Sequence, residues 1–442
     1  MSTDWRDRYR DKLRTAREAV ARVESGQRVL TSVATTEPRY LIAALCERWR
    51  ELRDVDVFCS NTMQPYPWFD AERGDAFRLH ANYLSGHLRP LYKERRIDYD
   101  ITTVYSPAKW REPGRESGLL EADVLLLMVS PPDADGYCSF GEQLWYSPTW
   151  VERAKCVIAE VNPLLIRTGG DNRVHVSKLD YLVEEPEPIP PFGLTLAVTP
   201  DEQAAAETIG ALAASLVRDG DTIQIGVGSV SMAAGLYLRD KNDLGVHSEI
   251  LTSSMIDLFK RGVVTGARKR IDVGKMVAAG MFLEPDDYAF VNDNPRVELR
   301  EAFYTNDPTV IARNPNQVAI NNGLAMDLTG QLTVEAFGAQ MYTGVAGQID
   351  FVLGAYLSPG GRSITVMPST ARAGSVSRIV PMFPEGQVVS VPRTFVDYVV
   401  TEHGIASLSG ASERVRAERL IEIAHPDFRD ELRAACRQRF GR

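Results

Sequence analysis

Short apolar runs alternate with helix-period patterns through both halves of the chain, the arrangement of an α/β protein with mainly parallel sheets. Glu121 to Val129 (EADVLLLMV) predicts a buried strand entering the loop SPPDADGYCSFG, and Ala154 to Val161 (AKCVIAEV) predicts another. The charged start, MSTDWRDRYRDKLRTAREAV, reads as an amphipathic helix and lacks the apolar core of a secretion signal. At Glu184 to Pro191 (EEPEPIPP) four prolines and three acids allow neither a helix nor a central strand. The expected division is therefore an N-terminal domain over residues 1–190 and a C-terminal domain over 191–442.

Beyond that boundary Thr199 is placed to cap a helix that begins at Pro200, carries Asp201 and Glu202 in its first turn and ends near Arg218. Asp221 to Ile225 (DTIQI) reads as a strand, GVGS as a tight turn, and the following residues as a helix to about Leu238. No internal repeat or low-complexity segment is visible.

Composition narrows the possibilities. The 442 residues are 44% hydrophobic and 25% charged, which suits a globular chain long enough for two or three cores. A net charge of -9 counts against broad binding to nucleic acid or anionic membranes. The longest apolar run, Val124 to Val129, is far too short for a bilayer, so a cytoplasmic location is expected. Cys46, Cys59, Cys138, Cys156 and Cys436 are scattered, which suits reduced thiols rather than a disulfide framework or a zinc site. The six histidines do not cluster, so no metal is expected, and no serine stands in G-x-S-x-G.

Candidate chemistry concentrates in the second half. Gly226-Val227-Gly228-Ser229-Val230 lies where a strand delivers the chain to a helix N-terminus, so its N–H groups can face an anion or a polarised carbonyl. Such turns are also common as plain structure. In DLGVHSEILTSS, Glu249 sits inside a strand-like stretch, an unusual place for an acid and close to the glycine turn across a βαβ crossover. Gly344 to Phe351 (GVAGQIDF) has the small residues of a loop that a ligand approaches. Pro359 to Arg362 reads as a β-turn. Asn321 and Asn322 stand against an apolar stretch, where a buried amide serves either as a structural bracket or as an oxyanion donor.

Together these segments resemble the acetyl-CoA hydrolase/transferase family of CoA-transferases, over most of the chain. The resemblance is carried by SPPDADGYCSFG, AEVNPLLIRTGGDNRVHVSKLDYLVE, DLGVHSEI, TGARK, NDPTVIARNPNQVAINNGLAMDLTGQ, GQIDFVLGAYLSPGGRSITVMPSTA, SRIVP, YVVTEHGIASL and LIEIAHPDFRDEL. It implies two CoA-transferase-type α/β domains with mainly parallel sheets and the active site in the cleft between them. The N-terminal domain would face the acid substrate, and the C-terminal one would carry the catalytic glutamate, Glu249. Gly226 to Val230 would contact CoA, Gly344 and Gly347 would form a glycine loop near the thioester, and Asn321 would help bind the oxyanion.

The implied reaction moves CoA from an acyl-CoA to a carboxylic acid through a glutamyl-CoA thioester, with CoA as substrate and no tightly bound cofactor. A homodimer or higher homo-oligomer is the implied assembly. Hydrolysis of the same intermediate and a non-catalytic CoA-binding role are the alternatives. With a reference pKa of about 4.3, Glu249 is expected to be ionised at neutral pH and to attack without a general base.

Departures from the family pattern bear on the substrate. Ala346 stands where the glycine loop has another glycine, His403 where tyrosine is usual, and Thr31 to Pro38 (TSVATTEP) lacks the customary glycine turn. The aromatics of Asn61 to Phe69 and Gln143 to Trp150 suit either core packing or a pocket for an acid bulkier than acetate.

Overall fold

The computed structural model describes residues 4–112, 118–185 and 200–441. Thr199 and most of the proline-rich segment, residues 186–191, lie outside the described residues. The chain forms two compact units: one of the described residues up to 185 with Ala279–Tyr304, the other of 200–278 with 305–441. No change in composition marks the return of Ala279–Tyr304 to the first unit.

Seven parallel strands form the sheet of the first unit: β1 (Arg28–Thr31), β2 (Val55–Phe58), β3 (Phe77–Ala81), β4 (Ile97–Tyr99), β5 (Val124–Val129), β6 (Cys156–Val161) and β7 (Tyr181–Glu184). Their order is β7-β6-β5-β1-β2-β3-β4, and every pairing is parallel. All six residues of β5 are buried, as a parallel strand covered on both faces requires. Helix α1 (Arg39–Glu47) buries Leu41, Ile42, Leu45 and Cys46.

Residues 4–20 do not form one helix. They form two short ones, Trp5–Arg8 and Ala16–Val20, separated by a turn in which Arg14 N–H bonds the Leu182 carbonyl. The second starts anew because Thr15 and Glu18 close a reciprocal capping box.

In the second unit α2 (Pro200–Ser215) leads to β8 (Thr222–Ile225), α3 (Ser229–Leu236), β9 (Gly245–His247) and β10 (Met276–Ala278). Then come β11 (Gln317–Asn322), α4 (Gln348–Leu357), β12 (Arg362–Val366), β13 (Tyr398–Thr401) and β14 (Gly404–Ser407). These strands run in the order β14-β13-β12-β11-β8-β9-β10, parallel except for the β13–β14 hairpin. Both sheets therefore wind outward from a first strand in two directions, a shared topology that left no repeat in the sequence.

Such winding places a topological switch beside β8, and the carboxyl ends of the strands there are where open α/β sheets admit ligands. Helix α2 packs on α3 at close range. A β-carbon at Gly210 would come 2.9 Å from the Ala233 carbonyl carbon, so only glycine lets the two backbones approach.

At the opposite ends of the strands a buried ion pair ties β8 to β12. Arg362 bonds Asp221 and also donates to the Leu216 carbonyl at 2.7 and 2.9 Å. The turn expected at Pro359 to Arg362 thus ends in a residue that anchors the sheet. Removing one partner of a buried pair leaves an uncompensated charge and costs about 3–5 kcal/mol. Arg362→Leu is expected to lower stability in a urea titration by about that amount, and Asp221→Leu/Arg362→Leu to recover most of it. A single variant within about 1 kcal/mol of wild type would contradict this role.

Candidate active site

Glu249 is not inside a strand. β9 stops at His247, a second extended segment begins at Ile250, and Glu249 occupies the bend between them. Ser248 fixes this bend, its N–H donating to the Val277 carbonyl at 3.0 Å and its hydroxyl to the Ile250 carbonyl at 2.8 Å. The bend turns the carboxyl out of the ladder at the carboxyl edge of the sheet; the residue as a whole is half-buried.

Two donors meet that carboxyl. Asn306 Nδ2 donates to Glu249 Oε2 at 2.9 Å, and the Gly347 N–H reaches the same group. Asn306 is itself aimed, because the Thr305 hydroxyl donates to its Oδ1 at 3.0 Å. A β-carbon at Gly347 would overlap both the Glu249 carboxyl and the Asn306 amide, so the close approach requires glycine. Burial pushes the Glu249 pKa up to about 7, against the pull of Asn306 and Gly347 toward the charged form. The expectation of a carboxylate with an ordinary pKa is corrected accordingly: burial holds Glu249 above the usual carboxylate range.

The glycine turn lies alongside. β8 and β9 are parallel neighbours with Ile223 opposite Val246, so Gly226 and Glu249, each three residues further on, leave the sheet side by side. The backbone of Gly226 to Val230 is held from β11. Asn322 Nδ2 donates to the Val227 carbonyl at 3.2 Å and to Ser231 Oγ at 2.8 Å, while Ser231 N–H donates back to Asn322 Oδ1 at 3.2 Å. Ser231 Oγ closes the turn on the Gly226 carbonyl at 2.5 Å. Val227, Gly228 and Ser229 remain partly accessible.

Asn321 does not serve as the donor to Glu249. Its amide is engaged on both sides by Gln224, Nδ2 to Oε1 and Oδ1 to Nε2, each at 2.9 Å. It brackets β8 and β11, while the side-chain amide that meets Glu249 is that of Asn306. Sequence reading passed over Asn306 although it lies in NDPTVIARNPNQ. It stands 57 residues from Glu249, directly before the helix-capping Asp307, and nothing in the spacing pairs the two.

The loop expected over Gly344 to Phe351 is shorter than anticipated, because α4 begins at Gln348. Gly344 is buried, Gly347 makes the contact with Glu249, and Ala346 takes the left-handed conformation at φ 48°. The alanine therefore retains the backbone form a glycine would supply, at about 1–2 kcal/mol of strain. His403 lies at the β13–β14 turn, its ring packed on His425 with centroids 5.4 Å apart. Within Asn61 to Phe69 and Gln143 to Trp150, Tyr66, Trp68, Tyr146 and Trp150 are buried, Trp68 and Trp150 packing edge-on against Phe77 and Phe58, while Phe69 and Trp145 are half-buried. The buried ones are core packing, the first of the two alternatives the sequence left open.

Among the described residues no group of three or more histidines, cysteines and acids is placed to hold a metal ion, and no helix is long and apolar enough to cross a membrane. All five cysteines are free thiols.

A carboxyl whose pKa burial raises, beside N–H donors at the edge of a doubly wound sheet, is an arrangement found in α/β enzymes. Sequence profiles of the acetyl-CoA hydrolase/transferase N-terminal and C-terminal domains match residues 1–192 and 285–436, and the chain belongs to that family. It is 39% identical over 439 residues to the 4-hydroxybutyrate coenzyme A transferase of Clostridium kluyveri, spanning 99% of this chain and 100% of that one. It is 36% identical over 432 residues to the succinyl-CoA:cyclohexane-1-carboxylate CoA transferase of Geobacter metallireducens, spanning 97% and 96%. The crystal structure of RipA from Yersinia pestis superposes with a TM-score of 0.89 at 34% identity, covering 99% of each chain.

Because the folded-state pKa of Glu249 is raised, the stability linked to it is present below the unfolded value and lost as pH rises toward about 7. Glu249→Gln is expected to gain on wild type in melting temperature between about pH 5 and pH 7.5. A gap that stays constant over that range would contradict the raised pKa.

Proposed function

We propose that this enzyme is a CoA-transferase that moves CoA from an acyl-CoA to a carboxylic acid, with Glu249 as the covalent carrier. The reading rests above all on the Glu249 carboxyl held by Asn306 and Gly347. The named CoA transferases to which the chain is similar over nearly its full length support it.

In the first half-reaction an ionised Glu249 oxygen attacks the thioester carbonyl, and collapse expels CoA as thiolate, leaving a mixed anhydride. The thiolate then attacks the glutamyl carbonyl, so the first acid departs as carboxylate and Glu249 carries CoA as a thioester. A second carboxylate reverses both steps and leaves as its CoA ester. Each addition to the glutamyl carbonyl places negative charge on an oxygen that Asn306 Nδ2 and the Gly347 N–H already face. Each such donor is worth about 10²–10³ in rate. The glycine turn at Gly226 to Val230 offers partly open main-chain groups for the pantetheine arm.

A raised pKa has a useful consequence. The protonated carboxyl is cheap to bury, while its conjugate base is more nucleophilic than an exposed carboxylate once formed.

Incubation with an acyl-CoA and no acceptor acid is expected to add the mass of one CoA less one water, and peptide mapping to locate it on Glu249. Glu249→Gln should fold and gain no adduct. A label on any other residue would defeat the assignment, and steady release of thiol without acceptor would show hydrolysis in its place.

A further inference from the structure

Glu249, Asn306 and Gly347 come from three separate stretches of the chain, and one buried side chain touches the support of the two donors. His247, the last residue of β9, is fully buried. Its Nε2 lies 2.9 Å from the Thr305 carbonyl oxygen. That oxygen only accepts, so the proton is on Nε2. Thr305 is the residue before Asn306, and its hydroxyl fixes the Asn306 amide.

On its other side the His247 ring packs on Phe351, with centroids 6.3 Å apart. Phe351 closes the first turn of α4 by donating its N–H to the Gly347 carbonyl at 3.0 Å. The backbone of His247 is held in turn by Gln317 Nε2, which donates to its carbonyl at 3.2 Å. We infer that His247 is a positioning residue: through Thr305 and Phe351 it sets the distance of the Asn306 and Gly347 donors from Glu249.

Nε2 donates to Thr305 in the neutral ring and in the imidazolium alike, so the bond does not depend on the charge of His247. Burial, and the Lys269 ammonium after it, push the His247 pKa down to about 4, opposed by the bond to Thr305 and by Asp272. The ring is thus neutral over the working pH range, and its bond to Thr305 persists while Glu249 titrates. One residue, Ser248, separates His247 from Glu249, so the bend there transmits any displacement of the ring to the carboxyl as well.

The inference rests on Glu249 being the attacking group, and two amide substitutions test it. Glutamine extends far enough to return an N–H to the Thr305 carbonyl, whereas asparagine is one methylene too short; both are polar and similar in burial cost. The readouts are single-turnover formation of the CoA adduct, its apparent pKa and the concentration of acyl-CoA at half-maximal rate. For His247→Asn the adduct should form at least tenfold more slowly, with an apparent pKa above that of wild type because Asn306 no longer favours the charged carboxylate. The half-saturating acyl-CoA concentration should stay within threefold. His247→Gln should restore both the rate and the pKa to within threefold and a few tenths of a unit.

A His247→Asn enzyme with wild-type rate and pKa overturns the inference. So does a His247→Gln enzyme as impaired as His247→Asn, since the loss would then reflect packing rather than the bond to Thr305. Should the asparagine variant fail to fold, rescue is read from the glutamine variant alone, where a pKa shifted as far as one unit overturns the inference. Absence of any adduct in the wild-type protein would instead remove the acyl-transfer reading itself, and with it the need for positioning.

Discussion

Enclosing a carboxylate in protein is costly unless something compensates the charge, and at Glu249 the compensation comes from two neutral N–H donors. Among the described residues no cation is paired with it. An arginine or lysine in salt-bridge contact would fix the charge permanently and make the oxygens poor nucleophiles. Two amide dipoles compensate the charge only in part, and burial leaves the pKa raised to about 7. The bend at Ser248, the capping of Asn306 by Thr305 and the absence of a side chain at Gly347 all serve that one arrangement.

A raised carboxyl pKa alone does not mark the site. In the first unit burial lifts Glu37 to about 8, Glu142 to about 7 and Glu160 to about 8. Glu37 is engaged by Thr62 and the Met63 N–H, and Glu142 by Thr35; Glu160 accepts from the Leu41 N–H. These acids are closed into the interior as structural brackets. Glu249 differs in being only half-buried as a residue and in lying beside a glycine turn at the carboxyl edge of its sheet.

Much of this was legible in the chain. The continuous apolar run of β5, the strand-turn-helix unit around Gly226 to Val230 and the isolated acid at Glu249 each follow from local pattern, and local pattern is what a sequence displays directly. The partners of Glu249 were not legible in the same way. Asn306 and Asn321 are both asparagines in polar-apolar surroundings, and only the register of β8 against β11 decides that Asn321 meets Gln224. The return of Ala279–Tyr304 to the first unit carries no compositional mark. Trp68 and Trp150 are equally compatible with a core and with a pocket until their neighbours are known. Ala346 and Ala34 show a subtler limit: both adopt left-handed backbone, at φ 48° and 55°, so absence of a glycine did not mean absence of its conformation.

The dependence of acyl transfer on the donors at Glu249 is read most directly from the pH profile of single-turnover adduct formation in Asn306→Ala beside wild type. The wild-type rate should rise with pH through about 7 as Glu249 ionises. Loss of the Asn306 bond should move that midpoint upward and lower the plateau by about 10²–10³-fold. An unchanged midpoint with an unchanged plateau would contradict the role assigned to the amide and, with it, the reading of Glu249 as a carboxylate tuned by its two donors.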